Sequence, residues 1–241
     1  MKAEVRGRSM RRLPHHESDR LACPYPLLLR LPLPFAGITR HVWMNEADPL
    51  SITPWGAYFP AAITGAISSG PLGAMGPQTA ASALINAQVD IQNQRAVPAD
   101  TTLVITVLDA DGATVATSST KQTIPAGGWA RVIPGVAITS AVTLWNTEAP
   151  YMYEVRAEVL DNGAAGAVVD SVTVPIGIRT AIWSSETGFM LNGFKVPAKG
   201  FSQHQDFAGC GTAVPDRVNE FRVAGIRAIG GCVAAAAALD A

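Results

Sequence analysis

Apolar and polar positions alternate most regularly near the middle of the chain. Tyr151, Tyr153, Val155, Ala157 and Val159 fall on one side of an extended segment, and Glu154, Arg156 and Glu158 fall on the other. A period of two predicts a half-buried strand of an antiparallel sheet, because successive side chains of a strand point to opposite faces. Its expected partner is 168–178. The connection opens as Asp161-Asn162-Gly163 but is lengthened by residues 164–167, which predicts a longer and looser loop than a tight hairpin turn. Residues 83–92 also alternate, 103–108 read as a buried strand, and Asp109-Ala110-Asp111-Gly112 reads as a turn into another strand at 113–117. Short β-branched runs separated by Gly, Pro, Asn and Asp recur in this way, so residues 51–180 predict an antiparallel two-sheet sandwich without helices.

After Thr180 the texture changes. Residues 189–192 and 195–199 predict a small hairpin around Asn192-Gly193, followed by Gly200 and a polar loop. Pro215 stands where a first helical residue is tolerated, and Val218, Phe221, Ile226 and Ile229 recur at helical spacing up to Gly230-Gly231. The alanine-rich end, 233–241, has helical propensity but no amphipathic face. Neither it nor residues 1–35 show a periodicity that would specify tertiary packing.

Composition narrows the function classes. The 241 residues carry 18 Lys+Arg against 19 Asp+Glu, a balance that favours neither nucleic acid nor an acidic membrane surface as partner. Charged residues make up 15%, below the roughly 25% of globular domains, which implies that part of the chain is poorly folded. Cys23, Cys210 and Cys232 are too far apart for a zinc site or redox dithiol, and their odd number argues against a disulfide framework. The apolar run at 26–35 is broken by Arg30, Pro32 and Pro34, which excludes a membrane span there. Glu17 and Asp19 interrupt what a secretory signal would need, and with Glu4 they also count against a transit peptide, so localisation stays open.

Several motifs then fall in one order. Gly37-Ile38-Thr39-Arg40-His41-Val42-Trp43-Met44 is similar to a "GIYRHVWL" strand, and Pro54-Trp55-Gly56 follows it. Leu144-Trp145-Asn146 through Ala149-Pro150-Tyr151-Met152-Tyr153 resembles "LW-x-x-E-x-P-x-LY", and Ile176-Gly177-Ile178-Arg179 resembles "FG-[FI]-R". Gly188-Phe189-Met190-Leu191-Asn192-Gly193 resembles "GF-x-LNG", and the run from Lys199-Gly200 to His204-Gln205-Asp206 resembles "RG-x-N-x-H-x-D". Pro215-Asp216 and Phe221-Arg222 match the helix after that loop. Together these resemble the family 2 glycoside hydrolases, and among them the β-galactosidases, from about Gly37 to Gly230.

The resemblance implies a mainly β fold: an immunoglobulin-like antiparallel β-sandwich followed by the first strand and helix of an incomplete (β/α)8 barrel. Its divisions would be 1–36 unassigned and disordered, 37–50 a remnant of the jelly-roll sugar-binding domain, 51–180 the sandwich, 181–230 the barrel start and 231–241 an alanine-rich tail. Family enzymes are retaining glycosidases that set two carboxyl groups roughly 5 Å apart across the bond they cleave. Both family glutamates would lie beyond this chain, since Gly231 onward is alanine-rich where an "R-x-SH-x-P" segment is expected. His204 is the residue to which a role transfers, that of contacting the sugar at the outer end of barrel strand one, with Asp206 and Gln205 as weaker candidates. Ser202 replaces the usual Asn of this loop. Asn219-Glu220 repeats the dipeptide of the family's acid/base but sits inside a helix, where a solvated glutamate is expected.

No cofactor and no metal are implied. His15-His16 lack further ligands, and the Asp109–Gly112 stretch lacks the third acidic position and closing Glu of a calcium loop. Trp129 and Trp145, at strand ends, are expected to pack in the core or between domains rather than to stack on sugars. The leading expectation is a partial hydrolase of β-galactoside type that is silent alone, its partners being a β-galactoside in the full-length parent and a complementing barrel chain. The competing class is a non-catalytic immunoglobulin-like scaffold or carbohydrate-interaction module. An exposed cluster of aromatic residues would favour that class, and none is legible in the sequence.

Overall fold

The computed structural model describes residues 9–12, 42–69, 76–197, 199–203, 206–231 and 233–236. His15, His16, Cys23, His204, Gln205 and Cys232 lie outside them. Two compact units are formed, one built on Asn45–Val196 and one that includes the chain from Pro197 onward.

After β1 (Ser9–Arg12) and β2 (Trp43–Glu46), the chain of the first unit runs out through β3 (Leu50–Tyr58), β4 (Ala61–Ile63) and β5 (Ile67–Ser69). It returns through β6 (Gln78–Ala80), β7 (Ala83–Asn86) and β8 (Gln88–Asn93), then crosses to a second layer as β9 (Ala99–Leu108) and β10 (Thr114–Ile124). β11 (Trp129–Val132), β12 (Gly135–Ile138) and β13 (Val142–Leu144) rejoin the first layer, and β14 (Tyr153–Asp161) and β15 (Ala167–Ile176) complete the second. All these pairings are antiparallel.

The first layer is built of three successive three-stranded sheets, β11-β8-β3, β12-β7-β4 and β13-β6-β5. Tyr58 faces Gln88 and Ala61 faces Ile85, so the register carries on from β3 to β4, whereas Ile67 facing Ala80 is displaced by one residue and β3 itself shifts register between Ile52 and Ala57. Proline lacks the N–H that a ladder needs. Its carbonyl still accepts, and the oxygens of Pro60 and Pro134 take the amides of Asn86 and Ala87 at 2.9 and 3.1 Å where the named strands stop. The alternation predicted over 83–92 is therefore one strand direction interrupted at Ala87. The second layer has the order β10-β9-β14-β15.

One core joins the layers. Leu50, Ile85 and Ile91 contribute from the first, and Leu103, Ile105, Val155 and Val159 from the second, all fully buried. Burial of such side chains stabilises by about 1.5–3 kcal/mol each. The parity read from the sequence holds: Tyr153, Val155, Ala157 and Val159 are buried and Tyr151 is half-buried, while on the other face Glu154 and Arg156 are exposed and Glu158 is half-buried. Tyr153 also anchors its strand, because its hydroxyl accepts the Thr143 amide at 2.9 Å. Burial pushes this phenol up, partly offset by that hydrogen bond.

The connection after β14 differs from expectation. It is a compact turn: Asn162–Ala164 form a 3-10 turn, Ala165 and Gly166 take the left-handed conformation at φ 57° and 74°, and Asp161 accepts the amide of Gly163 at 2.9 Å. A local carboxylate cap orders a loop that composition alone makes look loose. The Asp109 turn follows its prediction, with the carboxylate accepting the amides of Asp111 and Ala113.

A buried polar network holds β16 (Ala181–Ser184), β17 (Gly188–Leu191) and β18 (Phe194–Lys195), a three-stranded meander, to the rest of the unit. Asn192 sits in the predicted hairpin turn at φ 50°, followed by Gly193 at φ 83°. Its side chain donates to Gln78 Oε1 at 2.7 Å and to the Trp145 carbonyl at 3.1 Å, and accepts the Thr180 amide at 2.9 Å. Gly177 is required by close approach, since a Cβ there would lie 2.7 Å from Trp145 Cγ. Arg179 covers the other part of that half-buried ring, 4.8 Å from its centroid.

The second unit contains a parallel pair. β19 (Gly200–Gln203), α1 (Asp216–Ala228) and β20 (Val233–Ala236) form a strand–helix–strand crossover, with Gly200 facing Val233 and Gln203 facing Ala236. Parallel neighbours need such a long connection. Pro215 precedes the helix as its N-cap, Asp216 complements the helix dipole, and Gly230 at φ 79° ends it as expected. The alanine-rich segment departs from its helical propensity and lack of packing: Val233–Ala236 pairs as a strand. Gly230-Gly231 forces a restart, and four residues next to an open strand edge gain ladder hydrogen bonds without the cost of nucleating a helix.

Ion pairs tie strand ends in the first unit. Arg95 donates to Asp161 at 2.6 Å and to Asp48 at 3.0 Å, and Arg131 forks onto Asp90 at 2.7 and 2.9 Å. The hydrogen bond from Arg95 holds the Asp161 carboxyl below the ordinary range, and the one from Arg131 does the same for Asp90 against the opposing effect of burial. A depressed folded value gives stabilisation that is complete above the ordinary carboxylate range and is lost as pH falls through the folded value. The melting temperature should therefore hold from about pH 7 to 5 and fall below about pH 4. Asp161→Asn should shrink the acid fall, and an equally steep fall in the variant would remove Asp161 as a source.

Candidate functional site

The site expected from the sequence is the loop after β19. Its described part, 206–212, is a compact excursion in which Phe207 and Gly211 bridge and Gly209 and Gly211 adopt φ 85° and 57°. Arg222 of α1 donates to the Asp206 carbonyl and lies 4.8 Å over the Phe207 ring, so the helix fixes the loop through one guanidinium. An open cleft of about 470 Å³ lies between β19 and α1, lined by Phe201, Gln203, Asp206, Phe221, Arg222 and Ile226, among others. The carboxyl end of a parallel strand is where barrels gather their chemistry.

Asp206 is exposed at the cleft, and His204 and Gln205 lie outside the described residues. The expected set is thus represented by one carboxylate. Glu220 lines a different and shallow depression of about 900 Å³ along α1, with Asp216, Asn219, Val223 and Arg227 among its neighbours there. Asp216 and Glu220 are one helical turn apart, a spacing that places Cβ atoms about 5–6 Å apart. Both residues are exposed, on a helix that buries none of its residues. Two solvated carboxylates on one helix cannot flank a glycosidic bond, which needs groups converging from opposite sides of the sugar. Among the described residues there is no cluster of metal-ligating side chains, and no helix is long and apolar enough to cross a membrane.

The other motif residues serve as joints. Leu144 and Ile178 are fully buried, Asn146 accepts the amides of Glu148 and Ala149 at 3.0 and 2.6 Å, and Asn192 closes the meander clamp. Trp129 contradicts its expectation, being 60% exposed, and it is joined by Trp55 at 99% and Tyr58 at 64%. Sequence reasoning missed this set, since only cross-strand register brings residues so far apart in the chain onto one surface.

Comparison with known proteins places this geometry. Residues 76–179 match the model of glycosyl hydrolases family 2. The chain is 31% identical over 195 residues to a β-glucuronidase of Formosa agariphila, a match covering 77% of this chain and 18% of that protein. It is 27% identical over 189 residues to a β-galactosidase of Bacteroides ovatus, covering 76% and 20% respectively. The crystal structure of a glycosyl hydrolase family 2 member from Bacteroides cellulosilyticus superposes with a TM-score of 0.71 at 25% identity, over 84% of this chain and 24% of that one. The chain belongs to glycosyl hydrolase family 2, and it spans about a fifth of the length of these curated relatives.

Proposed function

We propose that this chain is the immunoglobulin-like middle domain and the opening of the catalytic barrel of a retaining family 2 glycoside hydrolase of β-galactosidase type. In this reading residues 51–180 are the sandwich, β19–α1–β20 is the first crossover of the barrel, and the 241 residues alone are catalytically silent. The carrying observation is the parallel strand–helix–strand unit that follows the antiparallel layers, with Asp216 and Glu220 of its helix exposed. A sugar subsite needs polar groups converging from several strands in a concave, largely desiccated pocket. Here Asp206 stands on the loop after a single strand, and water would out-compete a bound sugar.

In the full-length parent the substrate is a β-galactoside or related glycoside, and His204 contacts the sugar while the acid/base and nucleophile come from later strands. Nucleic acid and membranes are not partners in this reading. Supplying the remaining barrel as a second polypeptide tests it. Hydrolysis of an aryl β-galactoside should appear on mixing, and His204→Ala in this chain should reduce it. Turnover of the mixture that is indifferent to His204→Ala would remove that residue from the site, and co-purification without turnover would reduce the partnership to packing.

A further inference from the structure

The outer face of the first layer carries side chains that the core does not use. Along β8, Gln88, Asp90 and Gln92 point away from the core, alternating with buried Val89, Ile91 and Asn93. The register sets Tyr58 beside Gln88, Arg131 beside Asp90, and both Ser51 and Trp129 beside Gln92. These are three successive rows on one face, about 7 Å apart, so that the set spans about 13–14 Å along the strands. Between the end rows β3 leaves the ladder: Ile52 faces Ile91 and Ala57 faces Val89, leaving residues 53–56 opposite Asp90 alone. Trp55 stands in that excursion at φ 60°, with 99% of its surface exposed.

A bulky residue in the left-handed region is a strained state, and its ring contributes nothing to the core that would offset the strain. The polar groups between the aromatic rings are planar and internally balanced. Arg131 Nε and Nη2 donate to the two oxygens of Asp90, and Gln92 Nε2 donates to Ser51 Oγ at 3.1 Å, a hydroxyl that is itself fully buried and so lies beneath the face rather than on it. This leaves a face that is aromatic, rich in donors and acceptors, and without net charge from its ion pair.

We propose that this face binds an uncharged oligosaccharide. The rings of Trp55, Tyr58 and Trp129 offer flat surfaces for the C–H faces of pyranose rings, while the Asp90–Arg131 fork and the amides of Gln88 and Gln92 supply partners for hydroxyl groups. A dry protein interface would place contiguous apolar surface at its centre, whereas here the aromatic residues are separated by polar planes. The neutralised ion pair gives no attraction for a polyanion. The site lies on the sandwich, needs no catalytic carboxylate and does not depend on the hydrolase reading.

Affinity electrophoresis of the whole chain through gels containing galactan, xylan, mannan or polygalacturonate tests the proposal. At least one neutral polysaccharide should retard migration, and polygalacturonate should not. Trp129→Ala and Trp55→Gly should each weaken the retardation about tenfold, the size expected for losing one aromatic contact. Trp55→Gly also relieves the positive φ, so an unchanged or raised melting temperature separates loss of the ring from loss of the fold. Absence of retardation by all three neutral polymers overturns the proposal, as does retardation that neither substitution changes. Self-association that Trp129→Ala dissolves, without any retardation, would assign the face to a second copy of the chain.

Discussion

Asn192→Ala should lower the free energy of unfolding by about 3–5 kcal/mol. Three groups lose their partner at once: Gln78 Oε1, the Trp145 carbonyl and the Thr180 amide. Gln78 is 1% exposed, so water cannot replace the lost donor. Alanine must also hold a left-handed backbone that asparagine tolerates better. Urea unfolding measures the total. Asn192→Gly separates the parts, since it relieves the backbone while still breaking the hydrogen bonds, and it should recover about 1 kcal/mol. Amide exchange should quicken first in β16–β18, which this network secures. A loss below about 1 kcal/mol would mean that the meander is held by its apolar contacts instead.

Ile105→Ala should cost about 2–5 kcal/mol, because its side chain is fully buried in β9 between β10 and β14 and its removal leaves a cavity that two paired neighbours cannot fill. Thr106, the next residue, points to the opposite face and is half-buried, so Thr106→Ala should cost much less. The contrast is measured by the urea midpoints of the two variants. Equal losses would place the core on the wrong face of the second layer.

Local pattern explains which parts of this fold are legible in the sequence. The strand at Tyr153–Asp161 is readable because its two faces see different surroundings, and Asn192-Gly193 and the Asp109 turn are readable because their geometry is set by the residues that form them. The compact turn at 162–166 is not, since a single side-chain cap from Asp161 decides it. β20 is not, since a four-residue alanine-rich strand has no pattern of its own and depends on the edge of β19. The Trp55, Tyr58 and Trp129 face is hidden for the same reason, its members lying on β3 and β11 and meeting only through β8. For the candidate site, the motif run up to Asp206 indicated a loop after a strand, and the structure places Asp206 at the cleft beside α1. Among the described residues Asp206 is the one member of the expected set at that cleft.

Hydrolysis of aryl β-galactosides and aryl β-glucuronides by the purified 241-residue chain is the most direct measurement of whether it is silent alone. No release of the aryl group above that of a mock preparation is expected, because Asp216 and Glu220 are exposed on one helix and Asp206 lines a different cleft from theirs. Turnover that falls with Glu220→Gln would contradict this and make Glu220 a catalytic residue.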